Sequence, residues 1–180
     1  MRLIGSLGLC LNVAACGGGL AGDSAASDDL CAAATERPTA PEATGEGAAY
    51  VGLACLLVEA DVLGQRRDAC AGSLSLRVQD DVLTGSGACR YIGIPGEPGM
   101  AELLAGDQQA ALVGQRNGQR WAGEVTVLTE LGDFSWAWSG QWSGPDTHIT
   151  GQLSGVSSVE LGEQTYSVTG DGTFEAWPLP

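Results

Sequence analysis

The residues that could carry catalysis are few in this chain. Its one histidine lies in Asp146-Thr147-His148-Ile149-Thr150, where strand alternation would turn it towards solvent together with Asp146 and Thr150. No Gly-x-Ser-x-Gly elbow is present to position a serine nucleophile. All eight basic residues are arginines, and without lysine the sequence excludes Schiff-base chemistry and the lysine of a phosphate-binding Walker loop.

Acidic side chains are abundant, with 22 Asp+Glu against 8 Lys+Arg and a formal charge of -14. A glycoside hydrolase needs two carboxylates at a specific separation. Glu102, Glu124 and Asp171 are available, but none stands out from the solvated faces of the chain. The charge argues against binding nucleic acid, or an anionic membrane, through a basic face. We expect neither a metal site nor a cofactor.

Residues 1–16 read MRLIGSLGLCLNVAAC, with one positive charge at Arg2 and then an apolar run too short to span a membrane. The ending Val13-Ala14-Ala15-Cys16 resembles the lipobox of bacterial lipoproteins, in which the cysteine is acylated. Cys10 is a poorer candidate because the large Leu9 precedes it. The resemblance implies a signal peptide over 1–15 and a lipid anchor at Cys16, and, because Gly17 follows rather than aspartate, the outer membrane rather than the inner.

Residues 16–48 predict a disordered, acidic, Ala/Gly-rich tether. The stretch has no aromatic residue, and its only large aliphatic residues are Leu20 and Leu30. Such a segment cannot bury enough apolar surface to offset the entropy of ordering it. Its carboxylates lack the spacing of a calcium loop.

All ten aromatic residues lie between Tyr50 and Trp177, which places the folded domain at 49–180. Turn signals there alternate with short runs of alternating polarity, the pattern of β-strands. The fold class is all-β, an antiparallel meander that favours an up-and-down barrel, with a two-sheet sandwich as the alternative. The eight expected strands are 49–59, 69–79, 82–92, 108–116, 119–129, 133–142, 146–156 and 164–177.

An Asn-Gly hairpin is predicted within Arg116-Asn117-Gly118-Gln119, since this dipeptide is typical of two-residue turns. Arg116 would face Gln119, so that Gly114 would face Trp121 and Leu112 would face Gly123. Large residues would then lie opposite glycines on the inner face. Inward aromatic side chains could fill the interior or line a ligand cavity, and we expect a filled interior. They are Trp121, Trp136, Trp138, Trp142, Tyr166 and Phe174.

Four cysteines remain after Cys10 and Cys16, an even count that suggests two disulfides with three possible pairings. A four-residue loop over 78–81 would place Cys70 directly opposite Cys89 on the next strand, within disulfide range. With only Asp80-Asp81 as the loop, the two cysteines would be diagonal. By elimination, Cys31 would then bond Cys55 and fix the tether to the first strand.

The run Trp138-Ser139-Gly140-Gln141-Trp142 and the ending Val168-Thr169-Gly170-Asp171-Gly172-Thr173-Phe174 resemble the last strands of avidin-type barrels, and Leu83-Thr84-Gly85 resembles an early strand of the same family. The resemblance covers about a third of the chain. It implies an eight-stranded barrel and carries almost no implication of biotin binding.

The sequence therefore predicts a lipid-anchored, non-enzymatic envelope protein with a binding or structural β domain. An alternative is an inhibitor of a cationic enzyme that attacks the envelope, such as a lysozyme or protease, because an acidic surface would speed capture of a basic target. A hydrolase that uses two carboxylates ranks third.

Overall fold

The computed structural model describes residues 30–32, 34, 36–142 and 147–180, and within them the chain forms a closed antiparallel barrel. Each strand pairs with the next along the chain, and the last pairs with the first, so the predicted up-and-down barrel is confirmed and the sandwich is not formed. The strands are β1 (Ala48–Asp61), β2 (Gln65–Gln79), β3 (Val82–Tyr91), β4 (Asp107–Asn117), β5 (Arg120–Thr129), β6 (Gly132–Trp142), β7 (Ile149–Leu161) and β8 (Gln164–Pro178). A 3-10 helix, η1, spans Met100–Glu102 between β3 and β4.

The barrel interior is apolar because every second residue of a strand points inward, and most of those positions carry large apolar side chains. The largest of these side chains pack against glycines, which have no side chain to occupy the same space. A Cβ added at Gly170 would lie 2.6 Å from the Trp136 ring, and one added at Gly151 would lie 2.1 Å from the Phe174 ring. The barrel is thus filled by its own side chains.

The outward positions of β7 and β8 are mostly polar, in contrast to the inward ones. Val156 on β7 is an exception, and Val113 and Leu128 are exposed singly elsewhere on the wall. A barrel that spans a membrane has the opposite pattern, an apolar band facing lipid. The outward residues of these two strands are Thr150, Gln152, Ser154, Val156, Ser158, Glu160, Thr165, Ser167, Thr169, Asp171, Thr173, Glu175 and Trp177.

The register of the β4–β5 hairpin differs from the one predicted. The turn between β4 and β5 uses Gly118 and Gln119, so Asn117 pairs with Arg120 and Gly114 faces Gly123 rather than Trp121. Gly118 has φ of +66°, which a first turn position of the II′ type requires and which glycine adopts without strain. The shift is two residues, so every side chain keeps its predicted face.

Residues 36–47, which the composition placed in a disordered tether, lie against the outside of β2 and β3. The amides of Ala40 and Ala43 donate to the hydroxyls of Ser73 and Ser75 at 2.7 and 3.0 Å. We call residues 36–47 the strap. Composition missed this contact because hydrogen bonds to outward serines, rather than buried apolar side chains, hold the strap in place.

No helix within the described ranges is long and apolar enough to cross a membrane.

Candidate functional site

Both predicted disulfides are present. Cys70 and Cys89 are joined with their Cα atoms 5.5 Å apart, and Cys31 is joined to Cys55 with a Cα separation of 5.8 Å. The β2–β3 turn is the two-residue Asp80-Asp81 form, so Cys89 faces Gly72 and bonds Cys70 on the diagonal. Of the two loop lengths that the sequence left open, the shorter one is formed, and the predicted pairing is confirmed. The absent side chain at Gly72 leaves room for the diagonal bond.

The aromatic residues singled out in the sequence lie on the inner face. Trp121, Trp136, Trp138 and Phe174 are each 1–2% exposed, while Trp142 and Tyr166 are partly buried at the margin of the core. The indole of Trp138 donates to the Val113 carbonyl at 3.0 Å. These side chains fill volume rather than surround an empty cavity.

One end of the barrel is closed by a cation–aromatic stack. The Arg116 guanidinium lies 5.0 Å from the Trp142 ring centroid and 6.0 Å from that of Trp121. It also forms a 2.7 Å ion pair with Asp81, and the Trp142 indole donates to the Tyr50 hydroxyl at 3.0 Å. The stack lies over Trp121 and Tyr50, which are 1% and 0% exposed.

The other end is closed by the β3–β4 connection, which folds over the buried carboxylate of Asp68. This side chain accepts hydrogen bonds from the backbone amides of Ala69 and Gly93, both at 2.8 Å, and of Ala101 at 3.2 Å. Met100 of η1 is fully buried beneath the connection. Burial, and then the charge of Asp68, raises the pKa of Tyr91 well above its ordinary range.

The candidate chemical groups that the structure describes lie on separate elements. His148 is exposed just before β7, Glu102 pairs with Arg66 at 2.8 Å, and Glu124 and Asp171 lie on the outer faces of β5 and β8. In the part of the chain that the structure describes, no three His, Cys, Asp or Glu side chains are grouped to hold a metal.

The outer face of β5–β8 carries a group of polar side chains at neighbouring positions. The strand registers align these residues in two rows across the sheet, and we call them the polar rows. A groove follows the rows and reaches Arg37. The first row is Glu175, Thr150, Gln141 and Arg120, and the second is Thr173, Gln152 and Ser139.

An apolar shelf borders the polar rows on β1 and β8. Trp177 faces Val51, and Leu53 faces Glu175 at the end of the first row. The three apolar side chains, Val51, Leu53 and Trp177, are 42–44% exposed. The shelf and the rows together form one continuous surface, half apolar and half hydrogen-bonding.

Two residues important to this architecture were not singled out in the sequence. Asp68 lies at the same alternate positions of β2 as Cys70, Leu74 and Leu76. Strand alternation therefore predicts that its carboxylate points inward. Trp177 is out of phase with Phe174, which places it on the outer face.

No family model and no curated protein matches this chain. Among solved structures, the barrel is similar to the crystal structure of Neisserial surface protein A (NspA), with a TM-score of 0.48 and 10% sequence identity. The alignment covers 74% of this chain and all of that one. The predicted lipid anchor at Cys16 lies outside the described residues.

Proposed function

We propose that this protein is a non-enzymatic lipoprotein of the bacterial envelope, held at the membrane by acylated Cys16. Its barrel serves as a binding or structural module. The observation that carries the proposal is the polarity of the barrel wall. A filled barrel with polar outward faces on β7 and β8 is suited to water, so attachment to a membrane would depend on the N-terminal segment that precedes it.

The Cys31–Cys55 disulfide supports this arrangement because it fixes where the N-terminal segment leaves the barrel. The bond joins the segment to the outer face of β1. Only 15 residue steps separate Cys16 from Cys31, which limits the distance between lipid and barrel to about 50 Å even for a fully extended chain. The barrel would therefore work close to the membrane surface.

Cell fractionation of three forms tests the proposal. The unmodified protein should sediment with membranes and require detergent for release. Cys16→Ala should appear in the soluble fraction or accumulate as an unprocessed precursor. Cys10→Ala is the matched control, since it removes the other cysteine of the N-terminal region and should leave attachment unchanged. Normal processing and continued membrane attachment of Cys16→Ala would contradict the proposal.

A further inference from the structure

The apolar shelf is notable for its tryptophan. Of the five tryptophans in the sequence, Trp121, Trp136 and Trp138 are in the core, Trp142 is at its margin, and Trp177 is 44% exposed. Exposed indoles are typical of recognition surfaces, because the ring offers a large rigid contact area and one polar N–H. Val51 and Leu53 extend that area along β1.

Six of the seven residues in the polar rows have unused hydrogen-bonding capacity. Thr173 already has an interaction of its own, whereas within 30–32, 34, 36–142 and 147–180 the side chains of the other six form no hydrogen bond or ion pair. Elsewhere on the wall, outward polar groups pair with one another, as Thr126 and Ser135 do at 2.9 Å. The rows therefore present convergent donors and acceptors to an outside partner.

The chemistry of this surface favours one kind of occupant. Amide and hydroxyl side chains both donate and accept, and so match ligands whose own groups are hydroxyls. Pyranose rings combine such hydroxyls with an apolar C–H face that packs on indole. Charge supports the same choice, since the groove is lined by Arg37 and Arg120 against Glu175, an excess of one positive charge, although the whole chain carries -14. A cationic protein therefore finds no complementary charge here, and one excess positive charge is too little to select a polyanion.

We propose that the apolar shelf and the polar rows bind an uncharged oligosaccharide chain, with a sugar ring stacked on Trp177 and its hydroxyls bonded along the rows. Four strand-to-strand steps separate Leu53 on β1 from Arg120 on β5, a path of about 19 Å. That length accommodates several sugar rings. The inference rests on the proposed function and deepens its binding role by naming the ligand class.

Fluorescence of the full-length mature protein in a zwitterionic detergent tests the inference. The probes are chitohexaose, cellohexaose and maltohexaose at millimolar concentration, with acrylamide as quencher. At least one hexasaccharide should bind saturably and protect the exposed indole from quenching. Trp177→Phe, which removes that indole and keeps an aromatic face, should retain binding measured by calorimetry but lose the change in quenching.

Variants locate the binding surface. Trp177→Ala and Gln152→Ala should each weaken binding about tenfold or more. Leu128→Ala, an exposed apolar position on β5 outside the shelf, is the matched control and should bind normally. All three positions are exposed, and far-UV circular dichroism of each variant checks that it is folded.

Two results would overturn the inference: none of the three hexasaccharides binds, or Trp177→Ala binds within about twofold of the unmodified protein. If either result is found while membrane attachment is normal, only the inference of oligosaccharide binding is rejected, and the proposed function stands. Failure of attachment in fractionation would reject the proposed function instead.

Discussion

Adding a single methyl group at Gly170 should destabilise the barrel, because the space beside this residue is occupied by the Trp136 ring. The added Cβ would lie 2.6, 2.8 and 2.9 Å from three ring atoms. Carbon pairs rest at about 3.5–4.0 Å, so the ring would have to withdraw by about 1 Å. Trp136 is 2% exposed and donates to the Val168 carbonyl at 3.4 Å. We expect Gly170→Ala to lower the free energy of unfolding by about 2–3 kcal/mol.

A double-mutant cycle isolates this contact. Trp136→Ala alone should cost about 3–5 kcal/mol, but adding Gly170→Ala to it should cost nothing further, since the ring that the methyl group would strike is gone. Gly87→Ala is the matched control: its Cβ would meet its nearest neighbour, the Ala110 Cβ, at 3.4 Å. Urea unfolding followed by circular dichroism gives each value. Additive losses in the double variant would refute the close packing of Trp136 on Gly170.

Three further outcomes follow from the barrel's closures and its strap. Asp68→Asn should lower the free energy of unfolding by about 2–3 kcal/mol, because an amide replaces the charged acceptor of three backbone N–H groups. Faster hydrogen exchange at the Gly93 and Ala101 amides would show that the stability is lost at these hydrogen bonds. Stability should fall as the pH rises above about 10, where the unfolded phenol of Tyr91 ionises and the folded one, with its raised pKa, does not; Tyr91→Phe should reduce this fall in alkaline urea titrations, and an unchanged titration would contradict the assignment. Cys55→Ser should speed hydrogen exchange at the strap amides hydrogen-bonded to Ser73 and Ser75 while leaving exchange in β4–β6 unchanged, and equal protection with and without the disulfide would show that the strap is held independently.

The strand pattern and the inner face could be predicted from the sequence because both depend on local alternation. Phe134, Trp136 and Trp138 recur at every second position of β6, and such a stripe can only face the core of a small barrel. Turn register was less accessible. The β2–β3 connection offered two loop lengths, and the β4–β5 turn has the predicted length but lies one residue further along the chain. Each change shifts the strand pairing by two residues and leaves every side chain on the same face, so polarity could not choose between the registers.

The strap and the outer face were beyond local reasoning for a different reason. Ala40 and Ala43 have little apolar surface to bury, and their order depends on serines more than thirty residues away. The Cys31–Cys55 bond, expected only by elimination, is the covalent link that brings this segment to the barrel. The polar rows exist only once four strands align in register, which no single strand reveals.

The mass of the intact mature protein, purified from membranes, tests the central claim most directly. The account predicts a chain that begins at Cys16 and carries the added mass of acyl chains, and it predicts that the added mass is found on the N-terminal peptide after digestion. A mature chain that begins at another residue, or an unmodified Cys16, would contradict it.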